Sequence, residues 1–182
     1  MVVASAAYIF GQRIFDSYYN KIHDYTSKSG VVFTEILTPE YVPERLTDRE
    51  TLWNEVEHVE RNNKAQLAYS FDIALQNELT LEENIRLAKE FCQEQFVARG
   101  MIVDLAVHEG KSDNEEEPDN PHFHVLVPLR PFTEEGIWGN KQRREYILDE
   151  DGNRVKDAKG KEIFNAVSTT GWNDPELLKE WR

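Results

Sequence analysis

The sequence predicts an α+β fold in which helices pack on an antiparallel sheet. Three observations support this class. Strand-like runs alternate with helix-like runs, two of the helices open with a capping box, and two apolar runs joined by an acidic loop suit a hairpin. At 182 residues the chain is long enough to form a sizeable core. We therefore expect a single domain over residues 1–182.

The first two predicted elements are a helix and a strand. Residues 2–19 are rich in alanine and aromatic side chains and predict one long helix. Val31–Leu37 predicts a strand, because β-branched residues open the run and Gly30 and Pro39 bound it.

A second helix and a second strand follow. Thr47 and Glu50 have the spacing of a capping box, which predicts a helix from there towards Asn62. Residues 68–75 alternate between apolar and polar side chains and predict a half-buried strand. One face of that strand would hold Tyr69, Phe71, Ile73 and Leu75, and the other Ser70 and Asp72.

A second capping box, formed by Thr80 and Glu83, predicts a third helix that stops at Gly100. Its apolar stripe consists of Leu81, Ile85, Ala88, Cys92 and Phe96. Because Cys92 lies in this stripe, we expect a core residue rather than a nucleophile. As the single cysteine, it cannot form an internal disulfide.

Two strands that carry histidines predict a metal site. Residues 102–108 end in His108, and the next strand carries His122 and His124, whose i, i+2 spacing places them on one face. If the two strands pair across the acidic loop 109–120, the three imidazoles converge beside it. Three neutral imidazoles with open coordination positions suit a catalytic metal ion. The alternative is three unrelated surface or core histidines.

The remainder of the chain is polar. Residues 131–173 predict a polar appendage with turns at 149–153 and 156–161, and a last helix begins near residue 174. No run of about 18 apolar residues exists, so no membrane span is predicted. Together with a single cysteine, this favours a soluble cytoplasmic protein.

The net charge of −13 opposes long-range attraction to DNA, so any DNA contact requires a local basic surface. The candidates are Arg130, Lys141, Arg143 and Arg144. A solvated loop is an equally good interpretation of these residues.

Eight short segments are spread over nearly the whole chain: Ala6-Ala7-Tyr8, His23-Asp24-Tyr25-Thr26 followed by Lys28, Gly30-Val31-Val32, Leu52-Trp53-Asn54, Ala65-Gln66-Leu67-Ala68, Ala74-Leu75, Gly100-Met101-Ile102-Val103-Asp104 and Asn120-Pro121-His122-Phe123-His124. In sequence and in order, these segments resemble the MobA/MobL plasmid-mobilisation relaxases.

The resemblance implies an HUH-endonuclease fold in which Tyr8 is the catalytic nucleophile and His108, His122 and His124 hold a divalent metal, Mg²⁺ or Mn²⁺. Such enzymes nick single-stranded DNA at a plasmid transfer origin and stay joined to its 5′ end. The implied partners are that DNA, accessory mobilisation proteins and a coupling protein.

The same resemblance bears on the acidic residues of the site. Ser70 stands where many relatives have a glutamate, which leaves Asp72 and Glu78 as the acidic candidates. Relatives usually begin with a strand before the tyrosine-bearing helix, whereas only seven residues precede Tyr8 here. We therefore expect a relaxase domain that lacks its N-terminal strand and its C-terminal part.

Two other functions stay open at this point. One is a different metal-dependent hydrolase that uses the three histidines, with Asp104 or Asp72 as the base. The other is a relaxase remnant that binds DNA without cutting it. The residues alone do not distinguish Tyr8 from its rivals Tyr18, Tyr19 and Tyr25.

Overall fold

The structure is a computed structural model that describes residues 1–60, 62, 64–112, 119–172 and 174–181. Its contacts divide the chain into two compact units, Met1–Trp138 and Gly139–Arg182, which are described separately. The predicted α+β class is confirmed. In chain order the elements are α1 (Val2–Phe10), β1 (Arg13–Asp16), β2 (Lys21–Asp24), β3 (Val31–Leu37), α2 (Arg49–Val59), β4 (Ala68–Ala74), α3 (Leu81–Gln95), β5 (Val103–His108), β6 (His122–Pro128), β7 (Gln142–Tyr146), β8 (Phe164–Ser168) and α4 (Pro175–Glu180).

A four-stranded antiparallel sheet forms the centre of the first unit, in the order β3-β5-β6-β4. The predicted hairpin between the two histidine strands is present as β5 and β6. Its register places His108 opposite His122 and Ala106 opposite His124. The predicted parity is therefore correct, and the three histidines lie on the same face of the two central strands.

Helices cover both faces of this sheet. On the histidine face, α1 and α2 pack with Ala106 and Leu126 in one apolar cluster that includes Phe10 and Trp53. On the opposite face, Phe91 of α3 meets the ring of Phe123 edge-on at 5.9 Å. The histidines thus lie on the side of the sheet that α1 crosses.

The first helix is shorter than predicted. We expected residues 2–19 to be helical, but α1 ends at Phe10, because Gly11 takes the left-handed conformation (φ 60°, ψ 41°) that terminates helices. The chain then forms the β1–β2 hairpin, whose turn includes Asn20 at φ 49°. Alanine and aromatic content alone did not reveal this helix end. As a consequence, Tyr18 and Tyr19 lie in a hairpin turn and not on a helix.

The caps of the other two helices of this unit are only partly as predicted. The N-cap of α2 is Asp48, whose carboxylate accepts a 2.8 Å hydrogen bond from the backbone N–H of Thr51. Thr47 instead belongs to a preceding 3-10 turn, so the predicted cap was one residue early. The capping box of Thr80 and Glu83 at the start of α3 is confirmed.

The predicted ends of these helices were too late. Helix α2 stops at Val59 and α3 at Gln95, after which a short 3-10 turn leads to Gly100 at φ 83°. None of the helices in the described ranges has the length and apolarity needed to cross a membrane.

The second unit contains a hairpin that the sequence did not predict. Strands β7 and β8 are mostly exposed on both faces, so they lack the apolar alternation that marks a half-buried strand. The two turns between them are where the sequence predicted them. In each turn an aspartate, Asp149 or Asp157, accepts hydrogen bonds from backbone N–H groups two and four residues later.

A buried polar contact ties α2 to the sheet. The Asp104 carboxylate on β5 accepts two hydrogen bonds from the Arg49 guanidinium (2.8 and 2.7 Å) and one from the Trp53 indole N–H (2.8 Å). The same guanidinium lies over the ring of Phe10, 4.1 Å from its centroid. Because Phe10 is the last residue of α1, this contact also connects α1 to the buried polar group. Asp104 is fully buried, so these three donors replace its hydration.

We predict that Asp104→Ala lowers the free energy of unfolding by about 3–5 kcal/mol, since it leaves the Arg49 charge buried without its partner. Urea denaturation measures this loss. The control Glu90→Ala removes the exposed partner of Arg86 and should cost less than about 1 kcal/mol. Equal losses in the two variants would contradict the structural role given to Asp104.

Candidate metal centre and active site

The three histidines of β5 and β6 form a compact cluster. Their ring centroids are 4.6 to 5.1 Å apart. One nitrogen from each of His108, His122 and His124 can be chosen so that all three lie within 4.8 Å of one another. This spacing is suited to three ligands that share one ion. It agrees with the site predicted from the sequence.

His108 is the most buried member of the cluster. Its Nε2 lies 3.1 Å from the backbone oxygen of Ile9. A carbonyl oxygen can only accept, so Nε2 carries the proton and Nδ1 has the free lone pair. Burial lowers the pKa of His108 to about 4, helped by the neighbouring charges of His124, Lys28 and His122, although the bond to Ile9 opposes the shift. His108 is therefore neutral at physiological pH, as a ligand must be.

His122 and His124 use the opposite nitrogen. The Nδ1 of His122 lies 2.7 Å from the backbone oxygen of Asn120, and the Nδ1 of His124 bonds to the carboxylate of Asp72. Both partners are acceptors, so each Nδ1 carries its proton and each Nε2 keeps a lone pair. Metal-binding histidines characteristically donate their second N–H to a carbonyl or carboxylate in this way.

The loop between β5 and β6 fixes the acceptor of His122. At its neck the N–H of Asn120 donates to the oxygen of Gly110 at 2.8 Å. Gly110 has φ 61°, and a Cβ there would lie 1.8 Å from the oxygen of Asn120. Only glycine therefore allows this close approach. The acidic run at residues 113–118 lies outside the described residues.

The donor set fits a divalent metal ion. Each of the three imidazoles has one nitrogen tied to an acceptor and one lone pair available, and three ligands leave positions open for substrate. Imidazole suits transition ions better than Mg²⁺, which prefers oxygen ligands. A cavity of about 360 Å³ lies beside the cluster. It is lined by Ser29, Gly30, His108, Glu109, Gly110, Lys111 and His122.

Tyr8 lies in the last turn of α1, next to the residue whose carbonyl contacts His108. Its side chain is 55% exposed and meets the ring of Tyr25 edge-on at 5.3 Å. Tyr18 and Tyr19 pack edge-on against each other in the β1–β2 turn. Among these tyrosines, Tyr8 is thus the one on the helix whose end touches the histidine cluster.

The acidic candidates lie in different surroundings. Asp72, on β4 opposite His124, bonds directly to that histidine. Glu78 lies in the exposed turn after β4, and no hydrogen bond or ion pair joins it to the cluster within the described ranges. Asp104 is fully buried and held by Arg49 and Trp53. A carboxylate with these three donors and no access to solvent is unsuited to the role of base considered above.

The predicted basic residues are divided between the two units. Arg130, in the first unit, is largely buried and bonds to Glu60. Lys141, Arg143 and Arg144 belong to the second unit.

Sequence reasoning missed the carbonyl acceptors of Ile9 and Asn120, because a backbone atom has no signature in the sequence.

Comparison with known proteins gives a consistent result. A sequence model of the MobA/MobL family matches residues 1–182. The conjugal transfer protein TraA of Agrobacterium fabrum is 34% identical over 184 residues, which cover 94% of this chain and 16% of TraA. The probable mobilization protein MobA of Bifidobacterium longum is 34% identical over 154 residues, or 84% of this chain and 26% of that protein.

A solved structure supports the same fold. It is described as "Molecular Basis of Vancomycin Resistance Transfer in Staphylococcus aureus". Its TM-score is 0.78 at 33% identity, and the similarity covers 99% of this chain and 78% of the other. The chain spans about a sixth of the length of the TraA protein it matches.

We predict that His124→Ala abolishes measurable Mn²⁺ binding, because it removes one of three ligands. Asp72→Asn should weaken binding about 10–100-fold, the usual effect of losing an outer partner of a ligating histidine. Isothermal titration calorimetry at neutral pH measures both. The control His58→Ala removes an exposed histidine that bonds to Ser17. Unchanged affinity in His124→Ala, or an equal loss in His58→Ala, would refute the centre.

Proposed function

The chain belongs to the MobA/MobL family, and on this basis we propose that it is the relaxase domain of a plasmid-mobilisation protein. The proposed activity is to nick one strand of DNA at a transfer origin. One observation carries the proposal: the half-exposed Tyr8 lies in the last turn of α1, and the next residue, Ile9, contacts one of three converging histidines. The helix that carries the proposed nucleophile packs on the face of the sheet that carries the proposed metal ligands.

The proposed reaction exchanges one phosphoester for another. The Oη of Tyr8 attacks the phosphorus and forms an O–P bond, while the bond from phosphorus to the 3′ oxygen breaks. The 3′ oxygen leaves with the electron pair and takes a proton, and the phenol proton passes to water. The product is a 5′-phosphotyrosyl strand and a free 3′ hydroxyl. Because one ester replaces another, the step is readily reversed, as strand transfer requires.

The side chains of the centre have separate roles in this proposal. His108, His122 and His124 would hold the divalent ion, which would polarise the scissile phosphate and offset the charge that develops on its oxygens. Asp72 acts through His124, because its carboxylate fixes the orientation and tautomer of that ring. Of the two ions expected from the sequence, Mn²⁺ is the better match for imidazole ligands. Among the described residues, no contact with the cluster supports a role for Glu78.

A face of the second unit is the proposed contact for single-stranded DNA. In the β7–β8 hairpin, the Arg144 guanidinium lies over Phe164 (4.6 Å to the ring centroid) and that of Arg154 over Tyr146 (3.8 Å). Tyr146 and Phe164 are cross-strand partners, so the rings lie on one face. Aromatic rings flanked by arginines can stack bases and contact phosphates.

Charge also favours this unit. Residues 139–182 contain nine basic and nine acidic side chains, so the net charge of −13 lies entirely in the rest of the chain. DNA is therefore repelled less by the second unit than by the first. Lys141 and Arg143 also belong to the second unit. Arg130 already pairs with Glu60 and is therefore less suited to binding phosphate.

Accessory mobilisation proteins, a coupling protein and a cytoplasmic location stay predictions.

We predict that Tyr8→Phe abolishes covalent protein–DNA adducts while folding and metal binding survive, since only the hydroxyl is removed. The measurement uses end-labelled single-stranded oligonucleotides that tile the DNA flanking the gene, with Mn²⁺, and denaturing gels. The control Tyr18→Phe removes a hydroxyl from a side chain of similar exposure, 51% against 55%. It should leave adduct formation unchanged. An adduct that persists in Tyr8→Phe would disprove the assignment.

The same experiment separates the two alternatives. Cleavage without any adduct would support a hydrolase, which would then need a base other than the buried Asp104. Binding with neither cleavage nor adduct in the intact chain would support a non-catalytic remnant.

We predict that Arg144→Ala weakens binding of single-stranded DNA regardless of its sequence and lowers the slope of log affinity against log salt by about 1. Arg143→Ala is the matched control. Arg143 lies on the opposite face of β7 and pairs with Glu145 at 2.7 Å, so its loss should have a smaller effect. Fluorescence anisotropy at several salt concentrations measures both. Equal effects would place the DNA contact elsewhere.

A further inference from the structure

The segment His23-Asp24-Tyr25-Thr26 with Lys28 forms a turn whose function the metal centre does not explain. The Asp24 carboxylate accepts hydrogen bonds from the N–H and hydroxyl of Thr26 (3.1 and 2.7 Å), and the N–H of Lys28 donates to the oxygen of Tyr25 at 3.0 Å. The N–H of Tyr25 donates to the oxygen of Gln12, just beyond α1. The turn is thereby fixed beside the end of α1.

Two side chains of this turn hold the Tyr8 ring. Tyr25 meets it edge-on, and the Lys28 ammonium lies over its face at 4.2 Å from the centroid. The same ammonium donates a 3.1 Å hydrogen bond to the backbone oxygen of Tyr8. Lys28 therefore contacts both the ring and the backbone of Tyr8.

Among the residues that the structure describes, the charge of Lys28 has no acidic partner beside it. The side chain is half-buried, and burial lowers its pKa. Within the described ranges no carboxylate lies in ion-pair distance of its ammonium. Its charge also contributes to the lowered pKa of His108, so its field reaches the metal centre. Partial burial without an acidic partner disfavours the charged form of a lysine, and a negative charge nearby would offset that cost.

We propose that Lys28 is a positioning residue that fixes the Tyr8 ring and stabilises negative charge on its phenol. This inference rests on the proposed function, in which Tyr8 is the nucleophile. A cation over an aromatic face is attracted by the ring electrons, and this attraction grows as the phenol gives up its proton. The effect applies in both directions of the reaction, because Tyr8 is the leaving group when the strand is rejoined.

The alternative is that Lys28 has only a structural role, because a lysine that donates to the last carbonyls of a helix can stabilise the helix end. The two roles predict opposite changes in the chemistry of Tyr8. Loss of a stabilising charge makes the phenol less reactive, whereas loss of a covering side chain makes it more accessible and more reactive.

The first test needs no DNA. Tetranitromethane attacks phenolates, and single-hit nitration followed by peptide mass spectrometry gives the rate at Tyr8 relative to Tyr18, whose exposure is similar. In Lys28→Met we expect this ratio to fall about two- to five-fold, the size expected of a cation over an exposed ring. Lys28→Arg should keep the ratio. Lys89→Met removes an ammonium near Phe33 on the other side of the sheet and should leave it unchanged.

The second test uses the tiled oligonucleotides in single-turnover adduct assays with Mn²⁺. Lys28→Met should slow both adduct formation and its reversal, with Lys28→Arg rescuing both and metal affinity preserved. An unchanged or increased nitration ratio in Lys28→Met, or a loss in Lys28→Arg as large as in Lys28→Met, would overturn the proposal. If the intact chain forms no adduct, the proposed function fails, and the nitration ratio still decides the role of Lys28.

Discussion

The Asp104 carboxylate joins the helices on the histidine face to the strand that carries the first histidine, and the candidate site depends on this contact. Arg49 and Trp53 of α2 bind it directly, and the Arg49 guanidinium also covers Phe10 at the end of α1. Asp104 lies four residues before His108 on β5. Through Arg49, one buried group therefore links the end of α1 to the strand that carries His108. The backbone oxygen of Ile9, one residue before Phe10, contacts His108.

Around the histidines, polar contacts determine which nitrogen of each ring is free. Each ring donates to a different acceptor: the carbonyl of Ile9 on α1, the carbonyl of Asn120 in the β5–β6 loop, and the carboxylate of Asp72 on β4. The acceptors come from three elements, so the tautomers depend on the tertiary fold. Each contact leaves the other nitrogen of its ring without a proton, so the three free lone pairs depend on three separate contacts.

The strongest sequence predictions were those that depend on local periodicity. The two-residue period of the strands correctly placed His108, His122 and His124 on one face, and the strand Val31–Leu37 was predicted with its observed ends. The end of α1 was wrong, because one left-handed glycine outweighed a favourable composition. The β7–β8 hairpin was missed because its strands are exposed and lack an apolar face. Contacts between distant segments, such as Lys28 with Tyr8, have no local signature at all.

The central claim is that one nitrogen of each of the three rings is free because the other is protonated and hydrogen-bonded. Long-range ¹H–¹⁵N correlation spectra of the metal-free protein at neutral pH report the tautomer of each histidine directly. The account predicts a proton on Nε2 of His108 and on Nδ1 of His122 and His124, with the free nitrogens shifting when a diamagnetic ion such as Zn²⁺ is added. A predominant Nε2–H tautomer at His122 or His124, or no shift of the free nitrogens on adding the ion, would contradict it.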